Sequence, residues 1–166
     1  MDEFFPLVNE QGEVIGKSTR VACHSGSFLL HPVVHLHVFN TAGQLYLQKR
    51  SMDKDIQPGK WDTSVGGHVD YGETVQEALY REVQEELGIT DFKPVFAFRY
   101  SFRSALEFEL VNSYYAIYDG LITPDETEIS EGRFWDRQEI DSFLGKGIFT
   151  PNFEEEFKRL LRLPVF

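Results

Sequence analysis

The stretch from Gly67 to Ile89, GHVDYGETVQEALYREVQEELGI, constrains this chain more than any other, because it sets a glycine-bounded loop directly before a short, acidic, sharply phased helix. Thr74-Val75-Gln76-Glu77 has the form of a capping box, in which Thr74 accepts from a free first-turn amide while Glu77 reaches back. Gly88 is a natural stop, since a glycine just past the last turn adopts the left-handed conformation at little cost. At 100° per residue Val75, Ala78, Leu79, Val83 and Leu87 form one side, and Glu77, Tyr80, Arg81 and Gln84 the other. Glu82 and Glu86 fall inside the apolar stripe, with Glu85 at its edge.

A glutamate-rich helix is ordinarily a solvated face. Here Glu82 and Glu86 point toward whatever the apolar residues pack on, where an unpaired charge costs several kcal/mol. Like charges three and four residues apart also repel. Something positive must offset them, and oxygen ligands converging on one point suit a hard divalent cation, Mg²⁺ or Mn²⁺.

The spacing G-x5-E-x7-R-E-U-x-E-E-x-G-U, with U a bulky aliphatic residue, is met in full by Gly67, Glu73, Arg81, Glu82, Val83, Glu85, Glu86, Gly88 and Ile89. On that pattern the chain resembles the Nudix hydrolases. The resemblance implies metal-dependent cleavage of a diphosphate linkage, in a nucleoside diphosphate derivative or a related organic diphosphate. It implies Mg²⁺ or Mn²⁺ held by Glu82, Glu85, Glu86 and the carbonyl of Gly67. Arg81 lies off the carboxylate stripe and is expected to orient Glu73 or Glu82. Glu85 is the first choice as general base, with Glu109 as a strand-borne alternative.

The rest of the chain fits one domain. A length of 166 residues supports a sizeable core, and 42% hydrophobic residues with 15 Phe argue against disorder. Residues 7–16 read as a hairpin turning at Gln11-Gly12, and 17–32 as an irregular, flexible arm carrying His24 and His31. Residues 33–40 and 44–50 read as the strands of a second hairpin, followed by a loop over 51–60 and a short strand from Trp61 to Val65. Beyond the acidic helix, Phe92 to Phe102, Glu107 to Tyr118 and Gly132 to Trp135 read as strands. Asp136 to Leu144 and Asn152 to Leu163 read as helices, the latter with Phe153, Phe157, Leu160 and Leu161 at core spacing. The expected fold class is α/β, an α/β/α sandwich around a mixed β-sheet. Its parts are an N-terminal hairpin and arm over about 1–32, a core over about 33–145 and a C-terminal helix over about 152–163.

A net charge of −11 and a pI near 4.8 weigh against duplex nucleic acid, whose binding rests on many Lys and Arg contacts to phosphate. A small anionic substrate is compatible with that charge, because bound metal inverts the local potential. The single cysteine, Cys23, cannot form an internal disulfide. No apolar run approaches the length of a membrane span, so a cytoplasmic location with no membrane partner is expected. The oligomeric state is left open.

From about Leu7 to the Gly66-Gly67 loop, including FNTAGQLYLQKRS and PGKWDTSVGGH, and more loosely to Trp135, the chain also resembles the isopentenyl diphosphate isomerase branch of the same superfamily. That resemblance implies a second divalent metal site at His24, His31, His68, Glu107 and Glu109, and substrate phosphate contacts at Arg50, Lys54 and Lys60. Glu107 and Glu109, two residues apart, are expected on one face of a strand. His35 and His37 match no ligand and read as structural. The departures favour hydrolysis over isomerisation: the isomerase's essential cysteine falls at Gly66, Cys23 is no substitute by motif, and its diphosphate-contacting arginine falls at Glu82. A third reading, a nucleotide-binding sensor that does not cleave, has no need of the complete carboxylate set. Specificity is expected in the loops 51–60, 101–108 and 119–131.

Overall fold

The computed structural model describes residues 3–166. β1 (Phe4–Val8) and β2 (Val14–Thr19) form an antiparallel hairpin. Its turn is held by the Asn9 side chain, which accepts from the amides of Gln11 and Glu13. A one-turn helix, α1 (Arg20–Cys23), is capped by Thr19. Then come β3 (Leu30–Phe39), β4 (Leu45–Arg50), β5 (Trp61–Asp62), β6 (Val65–His68) and α2 (Val75–Leu87). The chain finishes with β7 (Val95–Arg103), β8 (Phe108–Ile117), β9 (Ile129–Trp135), α3 (Arg137–Phe143) and α4 (Pro151–Leu160).

The large sheet runs in the order β5-β4-β3-β8-β7, with β6 added to β3 and β9 to β4. Its centre is mixed: β3 lies parallel to β8 and antiparallel to β6. Alternation along β3 sends Val34, Leu36 and Val38 to one face, where they pack with Ala78, Leu79, Val83 and Leu87 of α2. Phe39, Leu45 and Leu47 face the other way and meet Ile140 of α3 and Phe153, Phe157 and Leu160 of α4. Each such fully buried side chain contributes about 1.5–3 kcal/mol of transfer free energy, so both helical layers are anchored by hydrophobic burial. The result is the expected α/β/α sandwich. Among the described residues no helix is long and apolar enough to cross a membrane.

Several expectations need correction. The arm over 17–32 is ordered: it contains α1 and enters β3 at Leu30, and His31 is fully buried in that strand. β3 and β4 meet only at Phe39 and Leu45, and β4 finds its long partner in β9. The cause is Ser64, which accepts from the Val38 amide at 3.0 Å and donates to the Tyr46 carbonyl, wedging between the two strands. The same residue splits the expected strand at Trp61 into β5, which pairs with β4, and β6, which pairs with β3. Glu107 stands just before β8 rather than within it. α4 ends at Leu160, after which the chain folds back and places the Phe166 ring 5.0 Å from Phe39 and 5.6 Å from Phe157.

Candidate active site

Helix α2 forms as its sequence dictates: Thr74 accepts from the Glu77 amide, Glu77 returns a carboxylate to the Thr74 amide, and Gly88 sits left-handed at φ 68. Its phase leaves the side chain of Glu85 58% exposed and that of Glu82 15% exposed. Glu86 goes deeper. Its Oε1 accepts from Gln48 Nε2 at 2.9 Å, while its Oε2 is buried without a hydrogen-bond partner.

Arg81 ties this acidic group together. Its guanidinium grips Glu73 with both Nε and Nη2, at 2.7 and 2.9 Å. Nη1 donates to Glu82 at 2.8 Å and to Glu85 at 3.4 Å, and Nη2 donates to the His68 carbonyl at 3.0 Å. Planar, bidentate recognition of this kind is what arginine provides and lysine does not. Arg81 therefore orients both Glu73 and Glu82, and locks the loop after β6 to the helix.

Gly67 lies against Glu82 so closely that a Cβ built on it would stand 2.2 Å from Glu82 Cδ. Only glycine lets the loop backbone and that carboxylate share the space. Gly67→Ala is therefore expected to displace the Glu82 side chain and lower kcat by on the order of 10²-fold. Because Glu82 is a flexible side chain, the melting temperature should change little; a large loss of stability with normal turnover would contradict this.

On the far side of β6 the predicted histidines converge. His24 Nε2 lies 3.1 Å from His68 Nε2 and 3.0 Å from Glu107 Oε1, and His68 Nε2 lies 3.8 Å from Glu109 Oε2. His31 pairs its Nδ1 with the Leu29 carbonyl at 2.9 Å, which leaves Nε2 as the lone-pair nitrogen, buried and unpartnered. Potential ligand atoms of His24, His31, His68 and Glu107 all lie within 4.8 Å of one another. Phe5, fully buried in β1, backs the group, its ring stacked 4.7 Å from His68 and 5.6 Å from His31.

The electrostatics of both groups have one cause. Burial raises the carboxyl of Glu82 above its ordinary range, only partly offset by Arg81. Burial raises Glu86 much further, with the Glu82 charge adding to it. Burial and then Glu107 push Glu109 up to about 8. Burial also lowers His24, His31 and, most strongly, His68, so these imidazoles are neutral and have nitrogen lone pairs to offer. Acids short of positive charge, orphaned buried ligand atoms and neutral imidazoles fit divalent cations. The fit holds for both groups of residues.

Of the three other expected contacts, Arg50 and Lys54 are already engaged. Arg50 donates to the Ile56 carbonyl and sits 3.5 Å from Asp62, and Lys54 pairs with Glu128. Lys60 is half-buried, without an ion pair among the described residues. Cys23 is buried, and burial raises its thiol pKa, so it is no stand-in for a reactive thiol.

Sequence reasoning missed Gln48, whose side chain spans from the Ser64 carbonyl to Glu86. A polar residue at a buried β4 position on the α2 side was the available signal. It also missed Glu156, fully buried between His35 and His37 at 3.0 Å from the former. Glu156 is in phase with Phe153, Phe157 and Leu160, and that phase alone marked it as a core residue.

Comparison with known proteins agrees with this geometry. The NUDIX domain family model matches residues 29–156. An uncharacterized Nudix hydrolase of Listeria monocytogenes is 36% identical over 154 residues, covering 91% of this chain and 90% of its own. The isopentenyl-diphosphate Delta-isomerase of an Enterobacter strain is 38% identical over 103 residues, 60% of this chain and 56% of that one. Among solved structures, DR0079 of Deinococcus radiodurans aligns with a TM-score of 0.78 and 29% identity, over 96% of this chain and 100% of that one. With a complete carboxylate motif on α2, held by Arg81 as the geometry shows, this chain belongs to the Nudix hydrolase family, whose members act on pyrophosphate bonds.

Proposed function

We propose that this protein hydrolyses the diphosphate linkage of a nucleoside diphosphate derivative or a related organic diphosphate. The observation that carries the reading is Glu86, a buried carboxylate with one orphaned oxygen beside Glu82, in a network where Arg81 pairs with Glu73 and Glu82 and does not reach Glu86. Glu82, Glu85, Glu86 and the Gly67 carbonyl would hold Mg²⁺ or Mn²⁺. His24, His31, His68, Glu107 and Glu109 would hold a second divalent ion. Such ions would offset charge developing on the phosphates and lower the pKa of bound water.

The chain's own groups supply the rest. Arg81 keeps Glu73 and Glu82 in one rotamer, so the site is preorganised. Glu85, exposed at the helix edge, is the group best placed to accept a proton from water. Glu109, poised near 8, is the alternative base on β8. Arg50 and Lys54 spend charge on Asp62 and Glu128, which leaves Lys60 as the cation of that set for a substrate phosphate.

The assembled histidine cluster favours a second reading, allylic isomerisation of isopentenyl diphosphate, and Gly66 argues against it because no thiol stands there to deliver a proton. The test is a panel of nucleoside diphosphate derivatives, organic diphosphates and isopentenyl diphosphate, incubated with Mg²⁺ or Mn²⁺. Release of phosphate or a nucleoside monophosphate is expected. Conversion of isopentenyl diphosphate to its allylic isomer without hydrolysis would overturn the proposal, and ligand-dependent stabilisation with no turnover across the panel would mark a sensor.

A further inference from the structure

One polar cluster in the core is not used by the metal chemistry. His35 and His37 project from β3 toward α4, where Glu156 waits: His35 Nδ1 lies 3.0 Å from Glu156 Oε2, and His37 Nε2 lies 2.6 Å from the same oxygen and 3.0 Å from Ser113 Oγ. All three side chains are buried, and Glu156 and His37 completely so. An ordinary apolar triad would fill this space more cheaply, since burying charge costs several kcal/mol per ion.

His35 differs from the other two in where its second nitrogen points. With Nδ1 committed to Glu156, the opposite edge of the ring faces Gly66, its cross-strand partner on β6. A Cβ built on Gly66 would stand 3.4 Å from His35 Cδ2 and 3.6 Å from Nε2. Gly66 is itself exposed, so glycine leaves the ring edge uncovered, and Nε2 has no hydrogen-bond partner among the described residues. Gly67, next in the chain, packs against Glu82, and His68 follows it. The open edge of His35 therefore borders the candidate metal centre.

We infer that His35, anchored through Nδ1 by Glu156, donates its Nε2 hydrogen to an anionic oxygen of the substrate on the Gly66 side of the metal centre. Glu156 fixes the ring plane and stabilises the doubly protonated ring, as a carboxylate behind an imidazole does. Burial works against charge on His35, but Glu156 outweighs it and raises the ring to about 9, so both nitrogens carry hydrogens at neutral pH. Tyr100, Glu109, Asp62 and His37 are the other ionisable groups around the cluster. His35 is thus a substrate-binding residue for the diphosphate reaction, and Glu156 a positioning residue behind it. His37 completes the carboxylate's hydrogen bonds and has no path to the substrate.

This inference rests on the reading of the site as a diphosphate site, and binding separates the two without turnover. The probe is imidodiphosphate, a non-hydrolysable diphosphate, titrated with Mg²⁺ present into wild type, His35→Gln and Gly66→Ala. Wild type should bind, and the His35 Nε2 resonance in a histidine-labelled ¹⁵N spectrum should move on binding. His35→Gln should weaken binding about tenfold or more, the expected loss for one charge-assisted hydrogen bond. Gly66→Ala keeps the buried cluster intact and covers the ring edge with a methyl group; it should weaken binding several-fold and raise KM more than it lowers kcat. Equal affinity in wild type and both folded variants, or a stationary Nε2 resonance, would overturn the role of His35 alone. Failure of wild type to bind would overturn the diphosphate reading with it.

Discussion

Glu86→Gln is expected to lower kcat by on the order of 10²-fold or more while leaving the metal-free protein as stable as before, or more so. The two effects have one origin. Glu86 is buried beside Glu82, and burial, reinforced by that neighbouring charge, lifts its carboxyl pKa well above the ordinary range. A carboxylate there destabilises the metal-free fold, and an uncharged isostere relieves the repulsion. The carboxamide oxygen still accepts from Gln48, so the packing survives. Function is lost, because the orphaned Oε2 position then holds the amide NH2, a donor with no lone pair to offer a hard cation. The checks are steady-state kinetics and thermal melts with and without Mn²⁺. Wild type should be stabilised by the ion through mass action, and the variant should not. Near-normal turnover in Glu86→Gln would end the assignment of this carboxylate as a metal ligand.

Glu156→Gln should have the opposite profile, a large loss of stability that depends on pH. Removing one member of a buried ion pair costs roughly 3–5 kcal/mol, because the partner's charge is left uncompensated. His35 is raised from 6.5 to about 9, so its contribution is fully present below about pH 6.5 and is lost as pH rises through 9. Glu156 is held well below its ordinary value of 4.5 by the two imidazoles against the cost of burial, so its contribution is lost only as pH falls through the acid range. Between about pH 5 and 6.5 both terms act, and the variant should be destabilised by on the order of 3 kcal/mol relative to wild type. By pH 9.5 wild type has also lost the His35 charge, and the gap should narrow. Urea denaturation at the two pH values measures this; a gap that is constant with pH would mean the cluster is held by hydrogen bonds between neutral groups.

These two variants bracket the protein's use of buried charge. On the α2 face, Glu82 and Glu86 are crowded without enough positive charge, which suits a cation. On the α4 face, Glu156 is satisfied within the chain by His35 and His37. Glu156, fully paired, holds the fold, whereas Glu86, with an unpartnered oxygen, is left to hold a ligand.

The amphipathic phase of α2, its Thr74–Glu77 cap and its Gly88 stop were legible in the sequence because they are local: each depends on residues within a turn or two. So were the burial of Glu82 and Glu86, which follows from phase, and the layered α/β architecture, which follows from the alternation of strand and helix patterns. The strand boundaries around residues 61–68 were not legible. They turn on Ser64, whose hydroxyl bridges β3 and β4, and no local pattern marks a serine as a wedge between strands. The convergence of His24, His31 and His68 was suggested by resemblance alone, since α1, β3 and β6 are brought together only by the β3–β6 pairing and the seat provided by Phe5.

By itself, then, the sequence determined the acidic helix, the glycine beside it and the chemistry those carboxylates are suited to, because helical periodicity and metal preference are properties of residue type and spacing. Only the tertiary structure decided which charges are compensated. Gln48 reaches Glu86 from another strand, and Glu156 reaches His35 across 121 residues of sequence. Electrostatic energy depends on distance in space and on exclusion of water, and neither is written in the order of the residues.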